Sequence, residues 1–263
     1  MVGRLPIAKM LAVVVVMTAA ISAVMVSINW DGQEASTAAP KIDELLNVMI
    51  VLSSFVFSLV MVMLFYALWK FKAKPGDESD GEPIHGNTKL EIAWTVIPTI
   101  IVLFGAGYSW SVLHDIEKPD KHHLTVDVFS QQYAWSFGYP GKDNVYSQGE
   151  LHVPLNEQIQ FKMHAQDVIH SFWVPEWRIK KDNVPGITTT AIVTPDKLGT
   201  YELICTELCG FGHASMRAKV VVETPAGFEK WVGGLKEKVP APLAESITQD
   251  TETDPAPLNA GGA

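Results

Sequence analysis

The chain has 263 residues, of which 48% are hydrophobic and 19% charged, with a net charge of −9 and two cysteines. At about 150 residues per domain this length allows one or two domains. A hydrophobic fraction near half, few cysteines and no glycine period exclude a wholly disordered chain, a collagen and a disulfide scaffold. Cys205 and Cys209 are separated by three residues, so the Cys-x-x-Cys-His needed to attach a c-type haem is absent. The acidic balance argues against nucleic acid, which proteins meet with clustered lysine and arginine.

The apolar residues of the first half lie in long blocks, and those of the second half alternate with polar ones. Residues 1–30 read either as a signal peptide or as an additional N-terminal helix. Arg4 and Lys9 precede an apolar stretch that carries small residues such as Ala20 and Ser22 late in it, yet that stretch is long for a signal core and short for a span. Residues 31–113 read as a transmembrane hairpin. Its first span, 46–69, is free of charge over 24 residues, which is about 36 Å of helix against a hydrocarbon core of about 30 Å. Its second span, 92–113, carries Trp94 near one end and Tyr108 and Trp110 near the other, where interfacial aromatics belong, and Pro98 predicts a kink. Lys70, Lys72, Lys74 and Lys89 lie between the spans, whereas the stretch 31–44 holds only Lys41. The positive-inside rule therefore puts the connecting loop in the cytoplasm and everything after Leu113 on the far side.

Residues 114–239 read as an exported β domain. Candidate strands fall at 124–129, 158–163, 187–193, 200–205 and 216–222, most of them with apolar side chains on alternate positions, as in Ile159, Phe161 and Met163. Turn formers such as Tyr139-Pro140-Gly141 and Pro185-Gly186 separate them. Many short strands in a domain of this size predict a sandwich or small barrel, hence a membrane-anchored all-β fold. A closing helix is expected with Thr224 as its cap, Pro225 at its first position and Phe228, Trp231 and Leu235 on one face. Residues 240–263, rich in proline and acids and without lysine or arginine, read as a disordered tail.

The stretch Cys205-Thr-Glu-Leu-Cys209-Gly-Phe-Gly-His213-Ala-Ser-Met216 puts two thiols, an imidazole and a thioether into one loop between strands. Upstream, His170 sits in an apolar run, Val168-Ile-His170-Ser-Phe-Trp173, and is the natural fifth donor. Thiolate and thioether favour copper, and imidazole accepts copper or zinc. One four-coordinate ion cannot use five side chains, but two copper ions sharing both thiolates can. Each then takes one histidine, with Met216 weakly on one and a backbone carbonyl on the other. Bridging spreads one electron over two metals, which suits a relay. Three other readings remain: a Cys205–Cys209 disulfide, the default in an exported domain; a structural zinc of two cysteines and two histidines, which leaves Met216 unused; and a mononuclear blue-copper site, which leaves Cys205 idle. The remaining histidines, His85, His114, His122, His123, His152 and His164, read as ordinary surface or core residues.

These residues resemble subunit II of the haem–copper cytochrome c oxidases, with the dinuclear copper site called CuA. The resemblance includes Leu90-Glu91-Ile-Ala-Trp94-Thr-Val-Ile-Pro98, Gln132-Tyr-Ala-Trp135-Ser, Asp167-Val-Ile-His170-Ser-Phe and Phe228-Glu-Lys-Trp231. It implies a helical hairpin plus an exported cupredoxin-like Greek-key β-barrel, in the cell membrane, multi-pass, with the C-terminal domain on the outer, periplasmic side. It implies copper ligands His170, Cys205, Cys209, His213 and Met216 with the carbonyl of Glu207, whose side chain matches a position that reaches magnesium at the border with the catalytic subunit. Glu91 matches a carboxylate at the mouth of a proton pathway, where the residues alone suggest an interfacial acid. The family's usual tryptophan for electron uptake falls at Tyr133, two residues before Trp135. The implied partners are a haem-bearing catalytic subunit, where oxygen is reduced, cytochrome c or another electron donor, and membrane lipid. The rival readings are a membrane-anchored copper-binding or copper-delivery module and a mononuclear blue-copper carrier. A copper-free quinol oxidase subunit would have no use for this ligand set.

Overall fold

The structure, a computed structural model, describes residues 6–30, 32–73, 75, 76, 83 and 85–245. It forms two compact units, one of Met1–Trp30 with Asp43–Val112 and the other of Asp31–Ile42 with Leu113–Ala263.

The first unit is built from long helices, α1 (Ile7–Val26), α2 (Ala39–Lys70) and α3 (Thr88–Ile116). All three are long and apolar enough to cross a membrane by length and composition. Helix is the form an unbroken apolar run takes in lipid, because every backbone N–H and C=O is then satisfied within the segment. α2 and α3 extend beyond the uncharged stretches 46–69 and 92–113, since polar residues at a helix end continue the same hydrogen-bond ladder. α3 runs continuously through Pro98. Its start is set by Asn87, whose Oδ1 accepts the Leu90 N–H at 3.2 Å, while Glu91 Oε1 accepts the Asn87 N–H at 3.2 Å. This reciprocal capping satisfies N–H groups that the first turn leaves without partners. With three apolar helices as well as a β-rich unit among the described residues, the chain as a whole is not all-β.

The second unit carries ten strands: β1 (Leu124–Gln131), β2 (Ala134–Tyr139), β3 (Val145–Gln148), β4 (Glu150–Pro154), β5 (Ile159–Ala165), β6 (His170–Val174), β7 (Ile179–Asn183), β8 (Thr189–Val193), β9 (Gly199–Cys205) and β10 (Arg217–Glu223). They make two five-stranded sheets, ordered β3-β2-β1-β5-β8 and β4-β10-β9-β6-β7. β1 pairs with β5, and β4 with β10, in parallel; the other neighbours are antiparallel. The inner faces meet through aromatic side chains. Phe161 of β5 lies 5.2 Å from Phe172 of β6, ring centre to ring centre, and Trp135 meets Phe172 edge-on at 6.0 Å. Val126, Val128, Phe137, Leu151, Val153, Leu203 and Val220 complete a fully buried core around them.

The segment before α2 belongs to this unit and is stitched to it. The Ala35 N–H donates to Glu176 O at 2.8 Å, the Thr37 N–H to Thr194 O at 3.0 Å and the Ser36 hydroxyl to Trp177 O at 2.9 Å. After β10, α4 (Pro225–Gly234) opens with Thr224 Oγ1 accepting the Gly227 N–H at 3.1 Å and Pro225 at its first position. It buries Phe228 and Val232, and Trp231 stacks on His152 at 3.8 Å. The expected disordered tail begins at Pro240 and is described as far as residue 245. Lys238 bridges to Val145, the Val239 N–H donates to Asn144 O, and residues 241–245 form a helical turn on the Pro240 carbonyl. Residues 246–263 of that tail lie outside the described residues, as do Arg4 and Lys74.

Candidate metal centre

Strand register brings the donors together. β6 and β9 are antiparallel with Phe172 opposite Cys205, which leaves His170, at the start of β6, beside the end of β9. The loop from 206 to 216 then folds back so that the Cys205 N–H donates to Met216 O at 3.1 Å. Inside it, the Thr206 N–H is held by Ser171 O at 3.1 Å, and a 3-10 turn over His213–Ser215 presents His213.

Cys205 Sγ lies 3.9 Å from Cys209 Sγ, 3.9 Å from His170 Nδ1 and 3.4 Å from the Glu207 carbonyl oxygen. Cys209 Sγ lies 3.6 Å from His213 Nδ1 and 3.8 Å from Met216 Sδ. Each sulfur thus has an imidazole nitrogen and a weaker donor of its own within 4 Å. His170, Cys205, Cys209 and Met216 are buried, and the donor atoms of the first three all lie within 4.8 Å of one another. A disulfide needs about 2.05 Å between sulfurs, so both cysteines are free thiols here. Bonds of about 2.3 Å to sulfur and about 2.0 Å to nitrogen at a tetrahedral angle put such donors roughly 3.5 Å apart, and the observed spacings match. The residues therefore fit metal. A two-cysteine, two-histidine zinc would leave the buried Met216 thioether without a purpose, whereas soft sulfur beside thiolate is a copper preference.

The electrostatics separate the two thiols. Burial acts against ionisation of Cys205, but His170 and the backbone at Ser171 and Glu207 outweigh it and bring the thiol down to about 6. Burial, together with the neighbouring Cys205, pushes Cys209 up to about 11. Metal binding must then displace a proton from Cys209. His170 is oriented from behind: its Nε2–H donates to Asp167 Oδ1 at 2.8 Å, which directs Nδ1 at the sulfurs. Burial of Asp167 is outweighed by His170 and by the N–H groups of Gln132 and Val168, which hold its carboxyl below the usual carboxylate range.

Residues around the site divide by depth. Trp135 is 1% exposed and meets His170 edge-on at 6.2 Å. Tyr133, 40% exposed, packs on the loop between Cys209 and His213. A Cβ built on Gly212 would lie 2.6 Å from the Tyr133 ring, and one on Gly210 2.6 Å from its hydroxyl, so the loop backbone rests on that ring. The Glu207 side chain is exposed. Glu91 stands on the first turn of α3 in the helical unit, bonded to the Asn87 N–H. His152 pairs with Glu223 and His164 with Asp127 at 3.5 Å; both are core histidines. Asp167 and Gln132 are the site residues that sequence reasoning quoted without giving them a role. An acid three residues before a candidate ligand, His170, was the available signal for Asp167.

A β-rich unit holding a cluster of thiols, imidazoles and thioether, on a chain with membrane-length apolar helices, is the arrangement of a membrane-anchored protein with a candidate metal centre. Residues 26–112 match the family model for the transmembrane domain of cytochrome c oxidase subunit II, and residues 145–224 match the model for its periplasmic domain. The chain is 32% identical over 268 residues to cytochrome c oxidase subunit 2 of Thermostichus vulcanus, covering 82% of this chain and 81% of that one. It is 34% identical to the subunit 2 of Synechocystis sp., covering 81% and 79%. A quinol oxidase subunit 2 of Bacillus cereus is 30% identical, over 72% of this chain and 67% of that one. A solved periplasmic domain of subunit II from Bradyrhizobium japonicum matches with TM-score 0.43 and 28% identity, covering 44% of this chain and 95% of that one. The chain belongs to the cytochrome c oxidase subunit II family and is a subunit of an oxidoreductase complex, membrane-anchored with a periplasmic domain.

Proposed function

We propose that this subunit receives electrons from an external donor, cytochrome c, and passes them through dinuclear copper to haem in the catalytic partner, where oxygen is reduced. The observation that carries the proposal is the pair of buried free thiols 3.9 Å apart, each with its own imidazole and weaker donor. His170, Cys205, Cys209, His213, Met216 and the Glu207 carbonyl would hold the metal. Copper held by these residues would supply one-electron transfer, and the Cys205 and Cys209 sulfurs, 3.9 Å apart, would hold it with little rearrangement. The chain's own contribution is rigidity and dryness: strand ends fix Cys205 and His170, Asp167 fixes the ring of His170, and Trp135, Phe172 and Met216 exclude water.

The rest of the assignment follows from position. The outer unit has the cupredoxin-like organisation that the family resemblance implies, and charge asymmetry orients the hairpin with its loop in the cytoplasm of a cell membrane. Tyr133, exposed against the ligand loop, is the point of electron uptake, with Trp135 as the buried ring behind it. By the family resemblance, the exposed Glu207 carboxylate would reach a magnesium ion at the border with the catalytic subunit, and Glu91 would mark the mouth of a proton pathway. The Bacillus cereus relative keeps a quinol-oxidase reading in view, and the complete soft-donor set argues for copper against it.

Metal analysis of the full chain in its oxidase, grown with ample copper, tests this directly. We expect two coppers per chain, a visible copper–thiolate absorption and an unpaired electron shared by two nuclei. A colourless subunit holding one zinc overturns it. Cys209→Ser should abolish the dinuclear signal and turnover while the helices remain inserted.

A further inference from the structure

Three loops carry the candidate centre: the turn between β1 and β2, the segment before β6 and the loop between β9 and β10. One residue touches both of the others. The Gln132 backbone N–H donates to Asp167 Oδ2 at 2.7 Å, and Asp167 Oδ1 accepts the His170 Nε2–H at 2.8 Å. The Gln132 side-chain amide donates to the Cys209 carbonyl. Tyr133, next in the chain, presses on Gly210 and Gly212. A single turn therefore grips a histidine ligand through one hydrogen-bonded arm and a cysteine ligand through the other.

We infer that Gln132, acting with Asp167, is a positioning residue that clasps His170 and Cys209 in their metal-holding geometry and so sets the copper pair's retention and electronic structure. The inference rests on the copper reading above. Its physical basis is that a metal ligand is only as fixed as what stands behind it. Partners one step beyond the ligands typically cost 10–100-fold in metal affinity when removed. His170 has Asp167 behind it, but Asp167 is itself partly exposed and is pinned by two N–H groups, those of Gln132 and Val168. Cys209 sits in a loop whose neighbours Gly210 and Gly212 supply no side chains, so the Gln132 amide is the side-chain support its carbonyl receives. The clasp also gives a mechanical link. Pressure on Tyr133 from a docked donor bears on the residue bonded to Cys209 directly and to His170 through Asp167.

The test uses the full-length subunit within the purified oxidase. Gln132→Met keeps length and removes the amide donor; Asp167→Asn keeps shape and weakens the acceptor pair. Both variants should lose copper to a cuprous chelator such as bathocuproine about 10–100-fold faster than the parent, with an altered copper hyperfine pattern and a shifted midpoint potential. Gln132→Asn, which keeps a donor, should recover part of the difference. A merely structural role would lower the melting temperature and leave hyperfine pattern and potential unchanged, and that outcome overturns the inference, as does parental copper release in Gln132→Met. Should the variants fail to fold, hydrogen exchange on the parent chain decides. The Gln132 peptide N–H is expected to be protected with and without copper, and exchange as fast as in an open loop overturns the clasp. A parent chain with fewer than two coppers counts against the copper reading, and the exchange measurement then judges the clasp separately.

Discussion

The two ring nitrogens of His170 face opposite partners: Nε2 stands 2.8 Å from Asp167 Oδ1 and Nδ1 stands 3.9 Å from Cys205 Sγ. The Nε2–H donates to the carboxylate, so the Nδ1 lone pair is left toward the sulfurs. This is the arrangement by which an outer carboxylate fixes tautomer and raises ligand basicity.

On the proposed function, His170→Ala removes a copper ligand, and it leaves Asp167 short of a partner. Loss of a buried hydrogen-bonded group costs about 1–3 kcal/mol, so the domain should still fold. Metal analysis is expected to find fewer than two coppers per chain, and the signature of a shared electron should be gone. A full complement of two coppers in this variant would remove His170 from the ligand set.

Gly212→Ala tests the seat of the ligand loop on Tyr133. The added Cβ meets the ring at 2.6 Å, closer than side-chain carbons pack. Overpacking of this kind costs about 1–3 kcal/mol, so the melting temperature should fall and the copper spectrum broaden. Tyr133→Ala in the same chain makes room, and the double variant should regain most of the stability lost to the alanine.

Tyr139 gives an alkaline limit. Burial, reinforced by Glu223 and opposed by the His152 backbone, raises its phenol above the ordinary value of 10.0. Its hydroxyl donates to His152 O at 3.0 Å and accepts the His152 N–H at 3.0 Å. A raised folded-state value means the contribution is complete below about pH 10 and is lost as pH rises further, by about 1.4 kcal/mol per pH unit. Melting temperature between pH 9 and 11 should therefore fall faster in the parent than in Tyr139→Phe. Parallel curves would show that this phenol does not set the limit.

Most of the strands readable from sequence have one wetter face, whereas β1, readable at 124–129, is buried at nearly every position. β10 alternates exposed Arg217 and Lys219 with buried Ala218 and Val220, and β9 alternates in the same way over most of its length. β2 and β6 are buried on nearly every position, so Phe137 and Gly138, or Ser171 and Phe172, carry no period of two. The candidate donors were legible as a group because four of them share one loop with softness in common. The clasp behind them was not, since Gln132 and Cys209 are 77 residues apart and Gln132 and Asp167 35 apart. Only the pairing of the sheets brings them into contact. The strap at Ala35 and Ser36 was hidden for the same reason, its partners being the backbone carbonyls of Glu176, Trp177 and Thr194.

Phe211 is the most exposed aromatic near the site, at 104% of its reference accessibility, between Gly210 and Gly212 and two residues from both Cys209 and His213. A large apolar side chain held fully in water by a ligand loop is unfavourable for the isolated chain and favourable once a partner covers it. Transient redox complexes bury little area, so one central aromatic carries a large share of their affinity. On the proposed function, Phe211→Ala should cost about 10-fold in kcat/KM with reduced cytochrome c, the equivalent of about 1.4 kcal/mol. The contact is apolar, so the loss should persist at high salt, where charge-steered docking fades. Turnover driven by a small reductant such as hexaammineruthenium(II), which needs no protein docking, should stay at the parental rate with copper content unchanged. Loss of the haem-bearing subunit from the purified variant would instead place Phe211 in the contact between subunits, and unaltered kcat/KM would show that the donor docks elsewhere.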